Sequence, residues 1–216
     1  MLETNKYVLT VEGETEKWYF LWLKDRINEI ETKTKQVSII AKVEQSPRSF
    51  YKGAIAKSTP EVIHICDVES AQNSDIVKFE SILKEMKEAK KYKNINYLLG
   101  YSNLTFELWM ILHKMDFYAP VNDKTKYLQP IQKAFDEKFE DFQYFKQEDT
   151  FKRCLNKLTI EDVKCAIKRA EKIARDNKKN SKALVSHCNY SYYRENPSMS
   201  INDVVKKIIV ECGIKI

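Results

Sequence analysis

The feature that most limits how this chain can fold is a rhythm of short apolar runs separated by amphipathic stretches. Tyr7 to Val11, Val37 to Val43, Glu61 to Cys66 and Ile95 to Leu99 are rich in β-branched and aromatic residues and read as buried strands. Between the first two, Glu14 to Ile30 places Trp18, Leu21, Trp22 and Ile27 near helical spacing, with acids crowding the first turn where the helix dipole favours them. Ser46-Pro47 opens a second helix, serine suiting an N-cap and proline the first helical position. Ser74 to Lys90 turns Ile76, Phe79, Leu83 and Met86 inward, and Thr105 to Lys114 follows the fourth strand as a further helix. This alternation predicts an α/β fold built on a parallel sheet with helices on its faces.

In such sheets functional groups gather at the carboxyl ends of the strands. Glu12, then Asp67 with Glu69, and Ser102-Asn103 all fall there. Two strands that both end in carboxylates repel one another and raise their pKa values unless a cation lies between them. Magnesium takes oxygen ligands, and a few carboxylates plus substrate phosphates suffice to hold it. Asp67 and Glu69 are two apart, so a continuing strand would point both to one side. Gly13 permits a tight turn or a close approach. Each acid also has an ordinary reading: Glu12 and Glu69 as solvated loop acids, Glu16 and Glu107 as complements to a helix N-terminus. Asn103 is a good N-cap for the helix near Thr105. His113 reads more readily as a packing histidine than as a base.

From about residue 116 the strand pattern stops, and Tyr127 to Phe139, Glu148 to Leu155, Ile160 to Asp176 and Ile201 to Cys212 read as helices. Phe135, Phe139, Phe142, Tyr144 and Phe145 read as core groups rather than stacking platforms. These patterns predict an α/β core over residues 1–118 and a mainly helical extension over 119–216, its last helix packing back on the core. Charge is uneven across that boundary. Residues 1–100 carry 16 basic and 15 acidic groups, whereas 101–216 carry 21 and 16. The excess is densest where Lys164, Lys168, Arg169, Lys172, Arg175, Lys178, Lys179 and Lys182 face four acids. Such a run suits a nucleic-acid backbone, or is simply a solvated helix surface.

Several classes are disfavoured. No GxxxxGK[ST], GxGxxG or GxSxG motif occurs, which argues against a P-loop, a dinucleotide fold and a serine hydrolase. The five cysteines form no CxxC pair, and His187-Cys188 has no second ligand at zinc spacing. Reduced thiols, no apolar signal segment and no run of about 18 apolar residues lead us to expect a cytoplasmic chain without a membrane span.

Val11-Glu12-Gly13-Glu14-Thr15-Glu16, followed by Asp67-Val68-Glu69, resembles the Toprim domain of topoisomerases, bacterial primases and OLD-type nucleases. More specifically, the chain is similar to the RloB family and to the second protein of AbiL phage-abortive systems. The segments EGETEKWYF at 12–20, SPRSFYKGAI at 46–55, SNLTFELWMILH at 102–113 and NPSMSINDVVKKI at 196–208 carry this. The resemblance implies a Toprim-like Rossmannoid sheet flanked by helices, with a helical C-terminal extension. It implies a magnesium- or manganese-dependent nuclease in anti-phage defence, working beside a separate ABC/AAA-type ATPase. Glu12 and Asp67 stand at the metal-binding positions, and Glu69 replaces the second aspartate of Asp-x-Asp. Leu104 stands where a proline is common, and His113 matches a histidine commonly found there. Glu16 or Glu107 would supply a further ligand or orient water, and the basic residues 164–182 would hold DNA or RNA. A non-catalytic subunit that keeps the fold and works by binding is the rival, and the Asp-to-Glu change is its best support. A primase or topoisomerase fragment fits poorly, because no zinc-binding domain or active-site tyrosine context is evident.

Overall fold

Alternation of side chains is what divides this molecule into two layers around one sheet. The computed structural model describes residues 2–53 and 61–216. Along strand β1 (Thr4–Val11), Leu9 and Val11 point to one face; along β3 (Glu61–Asp67), Ile63 and Ile65 join them. Val62 and Cys66 point to the other face and belong to a second core. With β2 (Gln36–Val43), β4 (Asn96–Asn103) and β7 (Ser198–Met199) these strands form a five-stranded sheet in the order β2-β1-β3-β4-β7. The first four strands are parallel, and β7 is antiparallel to β4.

Helices α1 (Glu14–Glu29) and α4 (Glu107–Lys114) cover the first face, and α2 (Pro47–Gly53) and α3 (Asn73–Lys93) the second. Helix α1 buries Glu16, Tyr19, Phe20, Leu23 and Ile27, a stripe at i, i+3, i+4, i+7 and i+11. The stripe is turned slightly from the one expected, leaving Trp18 and Leu21 half-buried. Ser46 caps α2, its hydroxyl accepting the Ser49 amide at 3.1 Å. Positions 54 and 55 of the SPRSFYKGAI segment lie outside the described residues. In α3 the four expected apolar residues are all buried.

Beyond residue 116 come a short 3-10 turn (Lys124–Tyr127) and helices α5 (Leu128–Phe135), α6 (Phe142–Phe145), α7 (Glu148–Leu155), α8 (Ile160–Lys179) and α9 (Ile201–Glu211). Helix α5 stops at Phe135, well before the expected Phe139, because Asp136 adopts a left-handed conformation. Phe135, Phe139, Phe142 and Phe145 are buried, and Tyr144 is half-buried. This half is mainly helical, as expected, and adds β7 and a hairpin of β5 (Leu184–His187) and β6 (Tyr190–Tyr193) that the sequence pattern did not reveal. Cys188 and Asn189, both at positive φ, form its two-residue turn, the geometry that a tight hairpin demands. Helix α9 lies directly on β4. A Cβ on Gly100 would come within 2.5 Å of Ile65 and 3.1 Å of Val204, so the missing side chain is what lets α9 sit down on the sheet.

Candidate active site

Strands β1 and β3 are neighbours with Val11 level with Ile65, so the residues that follow them emerge side by side. Glu12 leaves the end of β1, and its Oε2 accepts the backbone N–H of Asp67, the last residue of β3, at 3.0 Å. Helix α1 begins two residues later and turns Glu16 to the same place. Glu16 is only 4% exposed, and its Oε2 accepts the Thr15 hydroxyl at 3.0 Å. Gly13 has ordinary extended backbone, so its role is space: a Cβ there would lie 3.0 Å from Glu16 Oε2.

Glu12, Glu14, Glu16, Asp67 and Glu69 border a hollow of about 280 Å³ that also meets Lys146. Five carboxylates line it against the single lining ammonium of Lys146, while Lys17 and Lys124 pair with Glu14 and Glu69 at its edge, so carboxylates remain in excess. Burial, then the charges of Glu16 and Glu69, push the Glu12 carboxyl up to about 7, although the Asp67 amide opposes the shift. Burial raises Glu16, with Glu107 adding to it. Asp67 keeps partial solvent contact yet is densely surrounded by protein, and burial together with Glu12, Glu16 and Glu107 raises it well above the usual carboxylate range.

Lys146 is the residue that sequence reasoning missed. It follows α6, whose Phe142 and Phe145 are buried and anchor the turn. Its Nζ lies 2.9 Å from Glu107 Oε1 and 5.5 Å above the Phe142 ring. Burial alone would lower this ammonium, but Glu107, and after it Glu16 and Asp67, hold it above its ordinary value. Nothing in the sequence distinguishes Lys146 from the other lysines; only the packing of the aromatic run does. Glu107 is fully buried, and its Oε2 accepts the Thr105 hydroxyl at 2.6 Å, so it stands behind Lys146 rather than on the hollow.

The remaining candidates are placed differently from expectation. Strand β3 ends at Asp67, and Glu69 has φ 65°, so the two acids do not share a strand face. The turn is fixed by Val68 N–H on Ser102 O and Glu69 N–H on Leu104 O, both at 2.9 Å. Glu69 reaches the rim of the hollow, where its Oε2 accepts from Lys124 Nζ at 3.1 Å. Asn103 is not an N-cap. It is the last residue of β4, and its amide donates to the carbonyls of Tyr193 at 3.1 Å and Arg194 at 2.9 Å. His113 is buried away from the hollow, between Trp109 O at 2.8 Å and Tyr19 Oη at 3.1 Å, and burial pushes it down to about 4. These partners fit a neutral ring that donates from Nδ1 and accepts at Nε2.

The basic run divides. Arg169 donates to the carbonyls of Leu112 at 2.7 Å and His113 at 3.0 Å and pairs with Asp116, so it is a structural brace. Lys172 sits 4.4 Å above the Tyr118 ring, and Lys164 pairs with Glu161. Lys168, Arg175, Lys178 and Lys179 are exposed on α8.

A protein-family model, described as RloB-like protein, matches residues 7–208. The chain belongs to the RloB-like family. No curated protein and no solved structure matches this RloB-like chain. Among the described residues, no group of three or more His, Cys, Asp or Glu side chains is arranged so as to hold a metal ion. In this RloB-like hollow Glu12, Glu16 and Glu69 each spend an oxygen on a separate protein donor. The donor chemistry nevertheless fits a hard divalent cation, since all the donors are oxygens and their negative charge is in excess. None of the described helices is long and apolar enough to cross a membrane.

Proposed function

We propose that this RloB-like protein is a divalent-metal-dependent nuclease that hydrolyses phosphodiesters of DNA or RNA. The observation that carries the reading is the joining of Glu12 and Asp67 at the carboxyl ends of adjacent strands in an acidic hollow that one lysine does not neutralise. Glu12 and Asp67 would hold magnesium or manganese, with Glu69 swinging in from the rim. The bound cation would polarise the scissile phosphate. Glu16, buried and with a raised pKa, suits acceptance of a proton from the attacking water. Lys146 suits stabilisation of the negative charge that builds on the phosphoryl oxygens, and Glu107 positions that ammonium. A second hollow of about 380 Å³ shares Glu12 and Gln45 with the first and offers a path for a strand. Lys168, Arg175, Lys178 and Lys179 would attract the backbone from α8.

The family resemblance adds a setting: anti-phage abortive infection, beside a separate ABC/AAA-type ATPase, in the cytoplasm. A binding subunit without catalysis is the second reading, favoured by the dispersed carboxylates and by the Lys124–Glu69 pair. Incubation with magnesium or manganese and mixed DNA and RNA, with and without an ATPase encoded beside this chain, tests the first. Cutting that Glu12→Gln and Lys146→Ala each lower by about a hundredfold supports it, a loss of the size expected for a positioned charge. Protection against phage that survives Asp67→Ala would instead favour the second.

A further inference from the structure

The hollow of about 790 Å³ between the second half of α3, the start of β4 and the tip of the β5–β6 hairpin has no part in the reading above. Asn96 on its floor pairs with Glu61, the first residue of β3, whereas Asp67 is the last. Six residues at about 3.3 Å each put the two hollows roughly 20 Å apart along the strand. They also lie on opposite faces, because Tyr97 belongs to the core beneath α3.

The walls are basic and aromatic. Lys84, Lys87 and Lys91 recur at i, i+3 and i+7 on α3, with Lys90 beside them. Glu88 also lines the hollow, and it and the neighbouring acids of α3 are engaged by other partners. Glu80 serves Tyr192 and Arg194, Glu85 serves Ser46 and the Arg48 backbone, and Glu88 pairs with the Arg48 guanidinium at 2.7 Å. Tyr97 is buried, and Tyr190 is fixed beside it by a hydrogen bond from its hydroxyl to Tyr97 O at 3.2 Å. Asn96 and Asn189 bring amide donors and acceptors to the same space.

We propose that this hollow binds a nucleotide unit, with the base against the half-buried Tyr190, which buried Tyr97 backs, and the phosphates on Lys84, Lys87 and Lys91. Its volume lies inside the roughly 300–1,000 Å³ usual for small-molecule sites. Flat rings offer a stacking surface for any base, and ammonium groups bind phosphate as point charges. The same chemistry serves a free nucleotide or one nucleotide of a strand, and it does not depend on the carboxylate site.

Calorimetric titration in EDTA separates these cases, with ATP as the free ligand and a short oligothymidylate as the strand. The strand arm uses a Lys168→Glu/Arg175→Glu/Lys178→Glu/Lys179→Glu background, which reverses the exposed basic face of α8. Ring-free controls are tripolyphosphate and an abasic strand. Binding of ATP or of the oligothymidylate, weakened about tenfold or more by Lys84→Ala/Lys87→Ala/Lys91→Ala and at least about tenfold tighter than the matching ring-free control, supports the site. ATP alone binding assigns it to free nucleotide; the strand alone binding assigns it to nucleic acid. The proposal is overturned if neither binds, if the lysine variant binds as tightly, or if the ring-free controls match their partners. The substituted lysines are exposed, so an unchanged melting temperature confirms that the variant is folded.

Discussion

At the scale of single residues, the acidic hollow carries a cost in stability. The Glu12 carboxyl rises from its ordinary 4.5 to about 7 on folding. The native state therefore holds its proton after the unfolded state has lost it, and stability falls as pH climbs from about 4.5 to about 7. Glu12→Gln removes that penalty. In EDTA at pH 8 it should raise unfolding stability by about 1–3 kcal/mol, while at pH 4 the two proteins should differ little. Urea melts at both pH values check this; an unchanged gap between them would remove the charge explanation. Gly13→Ala tests the geometry instead. Its backbone conformation suits alanine, but the new Cβ meets Glu16 Oε2, so activity should fall while the fold changes by less than about 1 kcal/mol. Equal loss of both in activity assays and melts would place Gly13 in the fold rather than the site.

At the scale of elements, the same kinds of residue do different work depending on what packs around them. Helix α8 shows this along one basic run. Arg169→Ala should destabilise by about 1–2 kcal/mol, because two carbonyls at the end of α4 lose their donor. Lys168→Glu/Arg175→Glu/Lys179→Glu should leave thermal melts unchanged and flatten the salt dependence of nucleic-acid binding. A shallower salt slope for Arg169→Ala alone would reverse that division. Strands β1 to β4 and the inward residues of α3 were legible in the sequence, because periods of two and of about 3.6 with Gly and Pro punctuation are local signals. The β5–β6 hairpin was not. Its turn residues are Cys188-Asn189 rather than the common Asn-Gly pairing, and its short strands alternate weakly. Asn103 was misread as a cap because its partners, Tyr193 and Arg194, lie some ninety residues on and leave no local mark.

At the scale of the whole molecule, one sheet separates two hollows in space: an acidic one at the carboxyl ends under α1, and a basic aromatic one at the amino end beside α3. The acidic one could be anticipated, since strand-end position and residue type sufficed to name Glu12 and Asp67. Lys146 could not, because its place depends on how four phenylalanines, from α5, the loop after it, α6 and α7, meet. Neither could the true place of Glu69, which follows from a left-handed turn that sequence spacing does not specify. The proposed nuclease requires that Glu12 and Asp67 hold a divalent ion in spite of the dispersed carboxylates. Calorimetric titration of the purified chain with manganese at pH 7.5 tests it without reliance on substrate or partner. Saturable binding is expected, which Glu12→Gln and Asp67→Asn each weaken by about tenfold or more, as when one of a few oxygen ligands is lost. No binding at millimolar manganese, or binding that both variants retain, would contradict it.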